Sequence, residues 1–153
     1  MVVNPISNKN KHNYKMVRTS VKIDAWIASD IKKVWHCWTQ PEHITKWNFA
    51  SEDWYCPSAS NELTVGGKYT ARMEARDGSF GFDFEAIYDE IVEHNKISYT
   101  MPDGRKVTTT FEADNGATNV TTVFDAESMN PVEMQQAGWQ AILNNFKKYV
   151  EAN

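Results

Sequence analysis

Hydrophobic and polar positions change period several times along the chain, and each change marks an element. Val17, Thr19, Val21, Ile23, Ala25 and Ile27 alternate with their neighbours, which predicts a first strand with one buried face. The period then lengthens. Ile31, Val34, Trp35 and Trp38 stand at helical spacing behind Ser29, a helix cap, and Asp30, a first-turn carboxylate. Pro41 breaks this helix near Thr39 and opens a second short one over 41–47, whose Ile44 and Trp47 share a face.

The stretch 51–61 mixes good strand residues, Trp54 and Tyr55, with Pro57 and a Ser-Ala-Ser-Asn run, and reads as a short edge strand and a loop. Alternation returns after Gly66-Gly67. Tyr69, Ala71, Met73 and Ala75 form one parity up to a hairpin at Asp77-Gly78, and Phe80, Phe82, Phe84, Ala86 and Tyr88 form one on the way back. Asp83, Glu85 and Asp89 take the opposite parity, which gives this strand an aromatic and an acidic face. Ile97, Tyr99 and Met101 are the inward set of the next strand, which ends at Pro102-Asp103-Gly104. Val107, Thr109, Phe111 and Ala113 follow, and Asn115-Gly116 turns the chain into 119–126, where Val120, Thr122 and Phe124 share a side. Connections this short leave no room for crossover helices, so the sheet is an antiparallel meander.

From Pro131 to Ala152 the period is helical once more. Val132, Trp139, Ile142, Leu143, Phe146, Tyr149 and Val150 gather in one stripe, and Glu133, Gln140, Asn144, Lys147, Lys148 and Glu151 are left for water. Asn130 supplies a cap, Pro131 a first-turn residue with no amide hydrogen, and Glu133 an early carboxylate. A curved antiparallel sheet wrapped around this helix, with two short helices after strand one, is an α+β fold.

Composition changes little in this picture. The 153 residues are 24% charged and 41% hydrophobic, ordinary values for a globular chain and of a size for one domain. Residues 1–15, rich in Asn and Lys, are expected to be a disordered tail, with Met16 as an alternative start and 16–153 as the domain. A net charge of −4 argues against a nucleic-acid partner. Two cysteines, Cys37 and Cys56, make no disulfide framework, and the absence of a signal sequence or membrane span gives a cytoplasmic expectation.

Candidate chemistry is sparse. His12, His36, His43 and His94 are spread over separate elements, and no pair has metal-ligand spacing. His36 and Cys37, adjacent on a helix, point about 100° apart and cannot face each other. The carboxylates Asp83, Glu85 and Asp89 lie on the solvent parity, which argues against a paired acid and base. Gly66-Gly67 lacks the following helix and lysine of a phosphate loop and reads as a bend. What remains is aromatic, and by periodicity alone it is a solid core.

One further reading comes from resemblance. The run from Ser29 through Trp38-Thr39-Gln40-Pro41-Glu42-His43 to Trp47 resembles the helix–helix signature of the family related to the C-terminal domain of the activator of heat-shock protein 90 ATPase. Val65-Gly66-Gly67-Lys68-Tyr69, the stretch 81–92, and Ala137-Gly138-Trp139 are similar to it as well. The usual proline near the start of the first helix is missing here. The resemblance implies the START-like (SRPBCC) helix-grip fold, as in birch-pollen allergens, and an apolar cavity between sheet and final helix. Most of this family is bacterial and without established substrates. The implied ligand is a small apolar or aromatic molecule such as a lipid or polyketide. Its site is expected on Trp47; on Tyr69, Met73, Phe82, Phe84, Tyr88 and Tyr99 of the strands; and on Trp139, Leu143 and Phe146 of the last helix. Thr109, Thr122 and the tyrosine hydroxyls would orient it. No catalytic residue, metal or cofactor is expected, and the protein is expected to be a monomer or weak homodimer. The alternatives are a cyclase or dehydratase acting on an aromatic or polyketide substrate, and a stress- or chaperone-associated interaction module. No stretch resembles the activator's N-terminal chaperone-binding domain, so chaperone activation is not expected.

Overall fold

The computed structural model describes residues 18–153, so the expectations for the 1–15 tail, Met16 and Val17 lie outside the described residues. Strand β1 (Ser20–Ile27) leads into helices α1 (Ile31–Thr39) and α2 (Pro41–Trp47). Strands β2 (Trp54–Asn61), β3 (Lys68–Ala75), β4 (Gly81–Val92), β5 (Lys96–Thr100), β6 (Lys106–Asp114) and β7 (Ala117–Asp125) follow, and helix α3 (Val132–Ala152) ends the chain. The seven strands form one antiparallel sheet in the order β1-β7-β6-β5-β4-β3-β2. Only the β7–β1 neighbour relation joins strands distant in sequence, as a meander whose last strand returns to the first would require. The Asn115-Gly116 turn has φ of 51° and 87°, the paired positive values that a two-residue hairpin needs.

Three local expectations are corrected. Asp30, not Ser29, caps α1: its carboxylate accepts from the Lys32 and Lys33 amides, both at 3.0 Å. Pro131 rather than Asn130 occupies the cap position of α3, with no capping side chain of its own. Glu127 and Gln135 organise that junction instead. The Glu127 carboxylate accepts from the Met129 and Asn130 amides, and the Gln135 side chain accepts from the Glu127 amide while donating to the Glu127 and Asn130 carbonyls. The region read as short strand and loop is a full eight-residue strand, β2. The register shifts between Tyr55 and Ser58, which places Pro57 in a bulge on an edge strand, where its missing amide hydrogen costs no ladder bond.

Gly66-Gly67 is the bend expected of it and also a clamp. Gly66 donates to the Tyr88 carbonyl at 2.8 Å, and Tyr88 donates to the Gly67 carbonyl at 3.0 Å. A Cβ at Gly67 would lie 2.1 Å from the Glu62 carbonyl oxygen, so no other residue fits without moving backbone. This clamp holds Tyr88 directly before a second irregularity. The β4–β5 register shifts between Tyr88 and Glu90, so the inward parity passes from Phe84, Ala86 and Tyr88 to Ile91, opposite buried Ile97.

The polar side of α3 was expected in water, and much of it is not. The Gln136 and Gln140 amides donate to the Lys22 and Asp24 carbonyls at 3.3 and 3.0 Å, and the Lys147 ammonium donates to the Trp26 carbonyl. Glu151 accepts the Ala28 amide at 2.8 Å. β1 is an edge strand, and its unpaired backbone groups would template association with another chain. The polar residues of α3 cover that edge.

Glu127 and Glu151 give this architecture an acid limit. The Asn130 amide, followed by the Asn130 side chain and the Met129 amide, holds the Glu127 carboxyl below the ordinary glutamate value, and the Ala28 amide and Lys147 do so for Glu151. A depressed folded-state pKa means stabilisation that is complete above the unfolded value of about 4.3 and lost as pH falls through the folded value. The thermal midpoint should therefore fall below about pH 4. Glu127→Gln should lower the midpoint at neutral pH and shrink its acid decline, as differential scanning calorimetry across pH would show.

Candidate functional site

Along the middle of the sheet the residues that border open space are mostly bulky on β3–β5 and small on β6–β7. Tyr69 and Met73 of β3, Phe84 and Tyr88 of β4, and Tyr99 of β5 face Val107, Thr109 and Thr122 of the narrower strands. α3 crosses above with Trp139, Ile142 and Leu143, and α1 and α2 close one end with Trp38 and Trp47. These surfaces do not meet everywhere. They enclose an open cavity of about 230 Å³.

Its walls are held by the packing behind them. Trp38 and Trp47 stack with centroids 5.1 Å apart, and both press edge-on against Phe146, at 4.9 and 4.8 Å. Trp47 donates its indole hydrogen to the Cys37 carbonyl at 2.9 Å, and Asn145 donates to the Trp47 carbonyl at 2.8 Å. On the far side Trp139 lies flat on Phe124, with centroids 4.2 Å apart and ring planes within 7°. Phe84, Tyr99 and Tyr69 contact one another at 6.0 Å, edge to face or tilted. Phe82 lines the cavity and is 42% exposed, so the opening lies at its ring. Phe82 also meets exposed Phe80 and half-buried Trp54 in an aromatic cluster, centroids 6.0 to 6.1 Å apart, at the β3–β4 hairpin end.

Polar groups are few and mostly committed. The Tyr88 hydroxyl donates to Asn61 Oδ1 at 2.5 Å, and the Asn61 amide donates to the Thr39 carbonyl at 2.7 Å, tying β4 to the end of α1. Thr109 and Thr122 bond each other at 2.8 Å in the floor. The Asn48 amide reaches the Tyr69 hydroxyl at 3.4 Å. The Tyr99 hydroxyl has no hydrogen-bond partner among the described residues, and since no buried side-chain oxygen there is left unpaired, it faces open space. Burial raises the Tyr69, Tyr88 and Tyr99 phenols well above the ordinary tyrosine value, keeping them neutral donors. Among the described residues no charged side chain lines the cavity.

The threonine pair has a measurable consequence. Thr122→Val should cost about 1–3 kcal/mol by leaving the Thr109 hydroxyl buried and unpaired. The double change Thr109→Val with Thr122→Val should be nearly neutral, so a double-mutant cycle in urea would show strong coupling.

Of the residues expected to bind ligand, Trp47, Tyr69, Met73, Phe82, Phe84, Tyr88, Tyr99, Trp139 and Leu143 line this cavity. Phe146 does not: it is fully buried beneath Trp38 and Trp47. Trp139 is only partly buried, and Phe80 is 61% exposed despite its inward parity, because β4 begins after it at Gly81. Ile23, Trp38, Asn48, Ile97, Val107 and Ile142 were missed. Trp38 carried a signal, its place on the apolar stripe of α1, whereas Asn48 follows α2 at a position no pattern marks.

A second grouping lies on the outer side of the helix pair. His36 and His43 are seven positions apart with no ligand spacing along the chain, yet the break at Gln40-Pro41 folds α2 back on α1 and brings their rings to 5.1 Å. With Glu42 they form a cluster whose donor atoms lie within 4.8 Å of one another, a proximity that spacing along the chain does not encode.

The family described as activator of Hsp90 ATPase homolog 1-like protein matches residues 28–151. The chain belongs to this family. An AHSA1-like protein from Aeromonas hydrophila, solved in solution, is 42% identical with a TM-score of 0.83, over 88% of this chain and 93% of that one. A protein from Cytophaga hutchinsonii is 46% identical with a TM-score of 0.76, again over 88% and 93%. A Chromobacterium violaceum protein, 21% identical over 88% and 99% with a TM-score of 0.79, shares the fold. No curated protein matches. The curled sheet closed by α3 is the helix-grip fold of this family, which supports a possible ligand-binding domain. Among the described residues no helix is long and apolar enough to cross a membrane.

Proposed function

We propose that the protein binds, without transforming it, a one- or two-ring aromatic molecule carrying a single hydroxyl or carbonyl group. The observation that carries this reading is an open, aromatic-walled cavity with one unengaged hydroxyl, that of Tyr99. An apolar cavity of about 150 Å³ admits benzene. A space of about 230 Å³ therefore has room for one more ring, and the remainder of a larger lipid would extend past Phe82 into solvent. Stacking surfaces on Trp139, Phe84 and Trp47 favour flat molecules, and a neutral Tyr99 donor favours one with an acceptor.

A cyclase or dehydratase draws no support from the charge distribution, since the buried polar residues are all threonines among the described residues. An interaction module draws support from exposed Phe80 and Phe82, which cluster with partly buried Trp54. On the preferred reading Hsp90 ATPase turnover is unchanged by this protein, and acceleration abolished by Phe80→Asp would favour the module instead.

Calorimetric titration with 2-naphthol and with naphthalene tests the cavity reading. Both should bind, 2-naphthol with a micromolar Kd, and Tyr99→Phe should weaken 2-naphthol by about 2- to 10-fold while leaving naphthalene unchanged. Failure of both compounds to bind below about 1 mM would count against the site.

A further inference from the structure

We propose that the junction of α1 and α2 holds a divalent transition-metal ion of the zinc class on His36, Glu42 and His43. The inference is independent of what the cavity binds. The three residues each offer one donor atom from two different helices, and these atoms lie within 4.8 Å of one another. Ligands at about 2.0–2.1 Å from a tetrahedral zinc lie about 3.4 Å apart, so the cluster must contract by roughly an ångström. His36 and Glu42 are exposed and free to make that adjustment by rotation of the side chain.

The donor set selects the ion. Two imidazoles and one carboxylate suit zinc, nickel or copper, whereas calcium and magnesium call for oxygen ligands throughout. His43 also carries the outer contact that metal-bound histidines use. Its Nδ1 lies 2.6 Å from the Tyr149 hydroxyl, which fixes the ring and leaves Nε2 for an ion. Three protein ligands leave a fourth position for water.

The location gives the ion a structural consequence. α1 carries Trp38, α2 carries Trp47, and Tyr149 belongs to α3, so an ion here joins the three helices that cover the cavity.

Zinc titration of the full chain by calorimetry, and visible absorption of the Co²⁺-loaded protein, test the site. One ion should bind with a micromolar Kd, and Co²⁺ should show the d–d bands of a tetrahedral or five-coordinate site. His36→Ala should weaken binding at least about tenfold, His43→Ala likewise, and Tyr149→Phe should weaken it measurably. His12→Ala and His94→Ala should change nothing. His36 makes no side-chain hydrogen bond among the described residues and is exposed, so its variant should keep the native circular dichroism and serve as the control for folding. Zinc binding no tighter than about 100 μM, or affinity that survives both His36→Ala and His43→Ala, would overturn the assignment.

Discussion

Phe146→Ala is expected to lower the unfolding free energy by about 3–5 kcal/mol, a large share of the roughly 5–15 kcal/mol that holds a domain of this size together. The ring is fully buried, and it is the part on which Trp38 and Trp47 both rest, at 4.9 and 4.8 Å. Removing it leaves a void that the two indoles cannot fill without breaking the Trp47 bond to the Cys37 carbonyl. Trp139→Ala on the same helix should cost about half as much, because one face of Trp139 is packed on Phe124 while the other borders the cavity. Urea unfolding of the two variants checks the order. A larger loss at Trp139 than at Phe146 would place the support of the helix in the wrong part of the structure.

Phe84→Trp is expected to raise the Kd of any cavity ligand by at least about tenfold, a change of about 1.4 kcal/mol, with little effect on the fold. Phe84 is partly buried and borders open space, so a larger ring can grow into the cavity instead of overpacking the core. Stability and affinity should therefore separate in this variant. They should move together in Phe146→Ala, where the wall itself loses its backing.

Alternation along the strands was enough to bring Tyr69, Met73, Phe84, Tyr88 and Tyr99 to one surface, because side-chain direction in a strand depends only on parity. Helical spacing did the same for Trp139 and Leu143. Parity fails where the ladder does. The bulge at Asp89 returns Ile91 to the core, and the bulge at Pro57 extends β2 through a residue that reads as a breaker. Polarity was a poor guide on α3, since Gln140 and Lys147 find hydrogen-bond partners on the free edge of β1 where water was expected. His36 and His43 became neighbours through a break between helices, which no fixed spacing encodes. The space inside the fold was illegible for a simpler reason: a pattern tells which way side chains point, and not whether those from opposite walls touch.

That space is the centre of the account, and amide chemical-shift mapping with 2-naphthol tests it most directly. Shifts should cluster on β4 from Phe82 to Tyr88, on β5 at Tyr99, and on α3 from Trp139 to Leu143, and they should shrink in Phe84→Trp. Shifts confined to the outer faces of the sheet and helices, or unchanged binding in Phe84→Trp, would contradict the account and leave the aromatic set as packing alone.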